Sequence, residues 1–230
     1  MTWRRRGLLL IASAVSLSTG AGAQRVRFGS HGGLTFARIT ELDPTRVFGG
    51  FPFARADRIG AQAGVFATLP VRDDWSLQAE VNYTQKGVRV ETSFAPVDGG
   101  PATIDIAVDY VEIPVLLRLD AARNRPWHPF VVAGPQLGVR VRCQTDLATG
   151  GSTFSSRCAA PDDISYTIDT PFTRTEVAGV AGLGVTGPLG RRRLYAQLRY
   201  ARSVRTISPD AEAPLSPKHA GLAILFGLGF

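Results

Sequence analysis

The chain closes on Ala220-Gly221-Leu222-Ala223-Ile224-Leu225-Phe226-Gly227-Leu228-Gly229-Phe230, and the order of residues in this stretch decides the fold. Its bulky side chains fall on alternate positions (Leu222, Ile224, Phe226, Leu228, Phe230), with the small residues Ala223, Gly227 and Gly229 between them. A period of two describes a strand with two unlike faces, one greasy and one small. Chain termini usually fray in water, so an aromatic end on a greasy face makes physical sense where that face meets lipid. This is the pattern of the last strand of a bacterial outer-membrane β-barrel. Phe226, Leu228 and Phe230 are then the expected C-terminal insertion signal, read by the barrel-assembly machinery.

The other end points to the same compartment. Arg4-Arg5-Arg6 precedes an apolar core from Leu8 to Leu17, and Ala21-Gly22-Ala23 follows as a small-x-small cleavage site. Residues 1–23 therefore read as a cleavable signal peptide and 24–230 as the barrel domain. No other run of about 18 apolar residues exists, so any membrane crossing must use strands. Loss of the three signal arginines takes the net charge from +7 to about +4, which leaves little case for nucleic acid as a partner.

Eight alternating stretches can be traced: 28–38, 59–69, 75–84, 103–119, 130–142, 173–186, 194–200 and 220–230. The third is the clearest, with Trp75, Leu77, Ala79, Val81 and Tyr83 set against Ser76, Gln78, Glu80, Asn82 and Thr84. The eight steps from Trp75 to Tyr83, at ~3.3 Å each and tilted by about 45°, rise roughly 19 Å, close to the ~25 Å apolar band and its aromatic girdles. In the fourth stretch Ile104, Ile106 and Val108 share one parity and Val111, Ile113, Val115 and Leu117 the other, a phase slip that predicts a β-bulge near Tyr110. Linkers alternate in length: 70–74, 120–129 and 188–192 are short, while 40–58, 86–102, 144–172 and 201–218 are long. Short periplasmic turns and long outer loops sort in this way when both chain ends lie in the periplasm. The fold expected is an all-β, eight-stranded, antiparallel up-and-down transmembrane barrel.

Several segments resemble the PorT-like outer-membrane β-barrel domain family. Tyr110-Val111-Glu112-Ile113-Pro114-Val115-Leu116-Leu117-Arg118 is similar to its Tyr-Leu-Glu-Ile-Pro-Leu-Leu-Leu-Lys segment. Glu80-Val81-Asn82-Tyr83-Thr84-Gln85-Lys86-Gly87 resembles its Glu-Leu-x-Tyr-x-Gln-Lys-Gly, Phe130 to Pro135 its Pro-Tyr-x-x-Ala-Gly-Pro, and Leu198-Arg199-Tyr200 its penultimate strand. The resemblance implies an eight-stranded barrel and no particular activity; it carries no catalytic site.

The parity places Gln78, Glu80, Asn82, Glu112, Arg118, Gln136, Arg140, Glu176, Gln197 and Arg199 in the lumen. The acids Glu80, Glu112 and Glu176 should pair with the bases Arg118, Arg140 and Arg199, because an unpaired buried charge costs several kcal/mol. Side chains fill a barrel of eight strands, so a plugged lumen is expected and a narrow channel is the weaker alternative. Cys143 and Cys158, in an oxidising compartment, read as a disulfide closing a loop of about fifteen residues. No His or CxxC lies between them to suggest a metal. Asp73-Asp74 and Asp162-Asp163 read as solvated turns rather than calcium ligands. Arg191-Arg192-Arg193 falls in a periplasmic turn, where contact with anionic headgroups and plain solvation are equal readings.

His219, with Ser208, Asp210 and Ser216 nearby in sequence, could form a lipid-hydrolysing site at the outer rim. Pro209, Pro214 and Pro217 make that linker read as an ordinary loop. The expectation is thus a protein with no catalytic, cofactor or metal site. It would act as envelope structure or through its long outer loops, with outer-membrane lipid and an unidentified envelope or extracellular partner.

Overall fold

A computed structural model describes residues 26–40, 53–92, 101–157, 174–205 and 218–230. The signal-peptide segment lies outside the described residues, as do Cys158, Asp162, Asp163, Ser208, Asp210 and Ser216. Every element among the described residues is a strand: β1 (Arg27–Thr40), β2 (Phe53–Pro70), β3 (Trp75–Thr92), β4 (Ala102–Asp120), β5 (His128–Thr149), β6 (Ser152–Arg157), β7 (Thr175–Leu189), β8 (Arg192–Ser203) and β9 (Lys218–Gly229).

Neighbouring strands pair antiparallel in the order β4-β3-β2-β1-β9-β8-β7-β5, and β4 pairs in turn with β5. Eight strands therefore close into a ring with no free edge, which satisfies every ladder without water. β9 seals it by pairing with both β1 and β8, and the Phe230 amide donates to the Phe28 carbonyl at 2.7 Å. The turns at 71–74, 121–127 and 190–191 lie at the end that holds Val26 and Phe230, and the strand ends leading into the longer connections lie at the other.

The ring is inverted relative to a soluble core. On β3 the even residues Ser76, Gln78, Glu80, Asn82 and Thr84 are buried inside, while Trp75, Leu77, Val81 and Tyr83 stand exposed on the outer wall. Leu34, Ile59, Val65, Val131, Leu183, Leu198 and Ile224 are likewise exposed. Burial of these side chains needs hydrocarbon, and the alternation supplies it on one face only. Phe28, Trp75, Trp127 and Phe230 lie at the terminal end of this band, with Tyr83 and Tyr200 at its other edge.

The predicted phase slip in β4 has a different cause. Every even residue from Ala102 to Leu116 is buried inside, so the backbone of β4 keeps its phase. What inverts is the chemistry: Ile104, Ile106 and Val108 pack inside against Ile39, Val88, Val90 and Tyr110, while Asp105 and Arg89 face outward. Above Tyr83 the strands have left the lipid and follow the ordinary rule of apolar inside, polar outside. A register shift does occur at Asp109/Tyr110, but the extra residue belongs to β5.

β6 is a ninth strand that sequence reading placed in a loop. Among the described residues it pairs only with the outer part of β5, through a two-residue turn at Gly150-Gly151. Both glycines have positive φ (54° and 81°), the geometry that hairpin turns of this kind demand. β6 thus extends the sheet above the ring without joining it.

Candidate functional site: the lumen and its two mouths

The middle of the lumen is built around Glu80. Arg199 donates from Nη1 and Nη2 to its two oxygens at 2.8 Å each, Gln78 donates at 2.7 Å and Asn82 at 2.8 Å. Gln197 accepts from Arg199 at 3.1 Å. His31 joins this group, with Nε2 at 2.8 Å from the Asn82 oxygen and Nδ1 at 2.7 Å from the Tyr195 hydroxyl. An amide oxygen can only accept, so Nε2 carries a proton; in the neutral ring Nδ1 then accepts from Tyr195.

A second cluster lies one step outward. Lys86 Nζ is 2.6 Å from Glu112 and 3.1 Å from Glu176. Thr84 donates to Glu112 at 2.8 Å, Ser203 to Glu176 at 2.5 Å, and His219 Nδ1 stands 2.9 Å from Glu176. Lys86 also sits 5.1 Å from the Tyr110 ring centre. Beside these groups is a cavity of about 40 Å³, room for a few water molecules.

Apolar layers bound the polar ones. Phe66, Leu116, Phe130, Val132, Val180 and Tyr195 pack on the terminal side, and the Ile104–Tyr110 cluster lies on the outer side. Nearer the periplasm Arg118 lies over the Phe130 ring at 3.8 Å and pairs with Asp120 at 2.7 Å. Asp120 also takes Arg123 at 3.1 Å and has His128 at 3.7 Å.

The six residues expected to form a lumen network thus divide. Glu80 and Arg199 pair with each other; Glu112 and Glu176 share Lys86; Arg118 serves the periplasmic mouth; Arg140 stands half-buried on β5 opposite Tyr110. Lys86 and His219 escaped the sequence reading as lumen partners of the acids because both sit where a strand had been taken to end. The signal was present in parity, since Lys86 continues the even series of Glu80, Asn82 and Thr84.

His219 is buried inside the ring rather than at the outer rim, engaged with Glu176. Its expected partners Ser208, Asp210 and Ser216 are outside the described residues. Cys143 lies half-buried beside the outer apolar cluster. Phe226 and Phe230 point outward and are largely exposed, and Leu228 is partly so.

Among curated proteins none matches the sequence. Solved structures with a similar trace include neisserial surface protein A (14% identity, 89% of this chain and 97% of that one, TM-score 0.44). OprG from Pseudomonas aeruginosa is another (14% identity, 91% and 98%, TM-score 0.47), as is Ail of Yersinia pestis in complex with the heparin analogue sucrose octasulfate (14% identity, 89% and 99%, TM-score 0.40). The family model described as an outer membrane protein beta-barrel domain matches residues 16–208. That match spans most of the sequence and agrees with the closed, inverted ring, and so the chain belongs to the outer membrane protein beta-barrel domain family and resides in the bacterial outer membrane.

Proposed function

We propose that this chain is a non-enzymatic, plugged barrel that works through what it presents outside the cell. The observation that carries this reading is the layered interior. The buried acids Glu80, Glu112 and Glu176 are each met by a cation, and apolar layers lie to either side. Matched charges between apolar layers support a plugged lumen, since conduction needs a continuous water path. The pairing of β3, β4, β5 and β6 above Tyr83 supports a rigid outer platform for recognition.

Further assignments belong to the same proposal: export by a signal peptide cleaved after Ala23, insertion through Phe226, Leu228 and Phe230 read by the assembly machinery, and a PorT-like place within the family. A Cys143–Cys158 disulfide is supported by register. Gln144 and Arg157, the sequence neighbours of the two cysteines, pair across the β5–β6 ladder. The burial of His219 against Glu176 weighs against the rim-hydrolase alternative.

The test compares intact cells displaying the wild-type barrel with cells whose 93–101 and 158–174 connections are replaced by short Gly-Ser turns. A partner captured only by the first supports the surface role, and equal capture by both overturns it. Stepwise single-channel currents in a planar bilayer would overturn the plugged lumen.

A further inference from the structure

The periplasmic mouth holds a second and larger cavity, of about 480 Å³, that the lumen network does not use. Five arginines line it: Arg27 at the start of β1, Arg118 on β4, Arg123 in the 121–127 turn, Arg191 in the 190–191 turn and Arg193 on β8. Asp120 is the one acidic side chain among the described residues lining it, and that carboxylate is already shared by Arg118 and Arg123. Asp73 and Asp74, in the neighbouring 71–74 turn, do not face it. Among the described residues Arg27, Arg191 and Arg193 have no ion-pair partner. Arg193, Arg123 and Arg118 each repel the Arg27 guanidinium, and Asp120 attracts it.

Such crowding is costly when empty and is relieved by a multivalent anion. Guanidinium forks match phosphate oxygens in pairs, which a point-charge ammonium cannot do. One side of the rim is made by Phe28 and Phe230, both of which face hydrocarbon and are 61% exposed. On the outer wall Arg192 stands over the Phe230 ring at 4.9 Å, adding a cation at the headgroup level. The opening therefore joins a cationic interior to a lipid-facing edge.

We propose that this vestibule binds a phosphate group, and that the headgroup of an anionic phospholipid of the inner leaflet presents it. The acyl chains rest on the Phe28 and Phe230 edge while the phosphate turns into the mouth between Arg27 and Arg193.

The experiment uses the mature chain refolded in a non-ionic detergent and native mass spectrometry. Phosphatidylglycerol, phosphatidylethanolamine and inorganic pyrophosphate are the probes, and heat-modifiable gel mobility confirms the fold of every variant. The expected result is one phosphatidylglycerol retained per chain in preference to phosphatidylethanolamine. Retention should weaken at least tenfold in R27Q/R193Q and be partly kept in R27K/R193K. Arg125 lies in the 121–127 turn without lining the cavity, so R125Q should bind as wild type. Saturable pyrophosphate binding without lipid preference would overturn the lipid source. Absence of saturable binding, or an equal loss in R125Q, would overturn the site itself.

Discussion

Arg199 on β8 and Glu80 on β3 face one another from opposite walls of the ring, four strands apart, joined by two parallel hydrogen bonds of 2.8 Å. Both side chains are fully withdrawn from solvent, at 3% and 0% exposure. Removing one partner leaves a buried charge alone, whereas replacing both by apolar groups of similar volume removes the desolvation cost as well. Glu80→Ala should therefore lower barrel stability by roughly 3–5 kcal/mol, and Glu80→Leu with Arg199→Met should recover most of it. Urea unfolding in detergent, followed by gel mobility, measures both; equal losses in the single and double variants would count against the pair.

Lys86 holds two acids, Glu112 and Glu176, at 2.6 and 3.1 Å. Lys86→Met leaves them beside a small cavity with His219 hydrogen-bonded to Glu176. A loss of about 3–5 kcal/mol is expected, and adding Glu112→Gln should restore part of it. Thermal melts of the two variants decide the matter.

Trp127 lies across Gly187, and a Cβ at that glycine would overlap the indole ring. Gly187→Ala should displace the tryptophan from the periplasmic edge and cost about 1–3 kcal/mol. A red shift in tryptophan emission together with a lowered unfolding midpoint would report it; an unchanged spectrum would refute the contact.

If Cys143 is bonded to Cys158, the loop it closes is about fifteen residues, which the chain-entropy model values at ~3 kcal/mol. Cys143→Ser should then lower stability by about that amount without disturbing the ring, because Cys143 lies on the outer part of β5. Thiol counting under denaturing, non-reducing conditions provides the direct check: two free thiols in the wild-type chain would end the idea.

Asp146, on the outer part of β5, is hydrogen-bonded by Ser155 of β6 and by Gln144, whose amide donates at 2.9 Å, and these bonds lower its pKa. A carboxyl with a depressed folded pKa adds stability above its unfolded value of about 4, and that stability fades as pH falls through the folded pKa. The β5–β6 hairpin should thus exchange its amides faster at about pH 3 than at pH 6, corrected for intrinsic rates. Asp146→Asn should remove most of the difference.

The ring was legible because Trp75 to Tyr83 alternates cleanly and a period of two admits no helix. The polarity inversion in β4 was not, because Ile104 and Ile113 obey the same period in water and in lipid; only the medium outside tells them apart. β6 carries mostly polar residues and so shows no apolar face, although Gly150-Gly151 did mark its turn. Pairing partners such as Lys86 with Glu176 join positions 90 residues apart, and no local pattern encodes that distance. The periplasmic arginines were visible as the triplet 191–193, but their convergence with Arg27 and Arg123 needed the closed ring.

The change of sides above Tyr83 also fixes how deep the protein floats. Tyr83 donates its hydroxyl to Asp109 at 2.6 Å, and Arg38–Asp57, Arg58–Asp105 and Arg142–Asp109 continue a charged collar outside the wall. Sinking by two residues, about 7 Å along a strand, would drag that collar into oil, and rising by as much would lift Val81 and Val111 into water. The molecule therefore carries its own waterline, and bilayers of unequal thickness must bend to meet it.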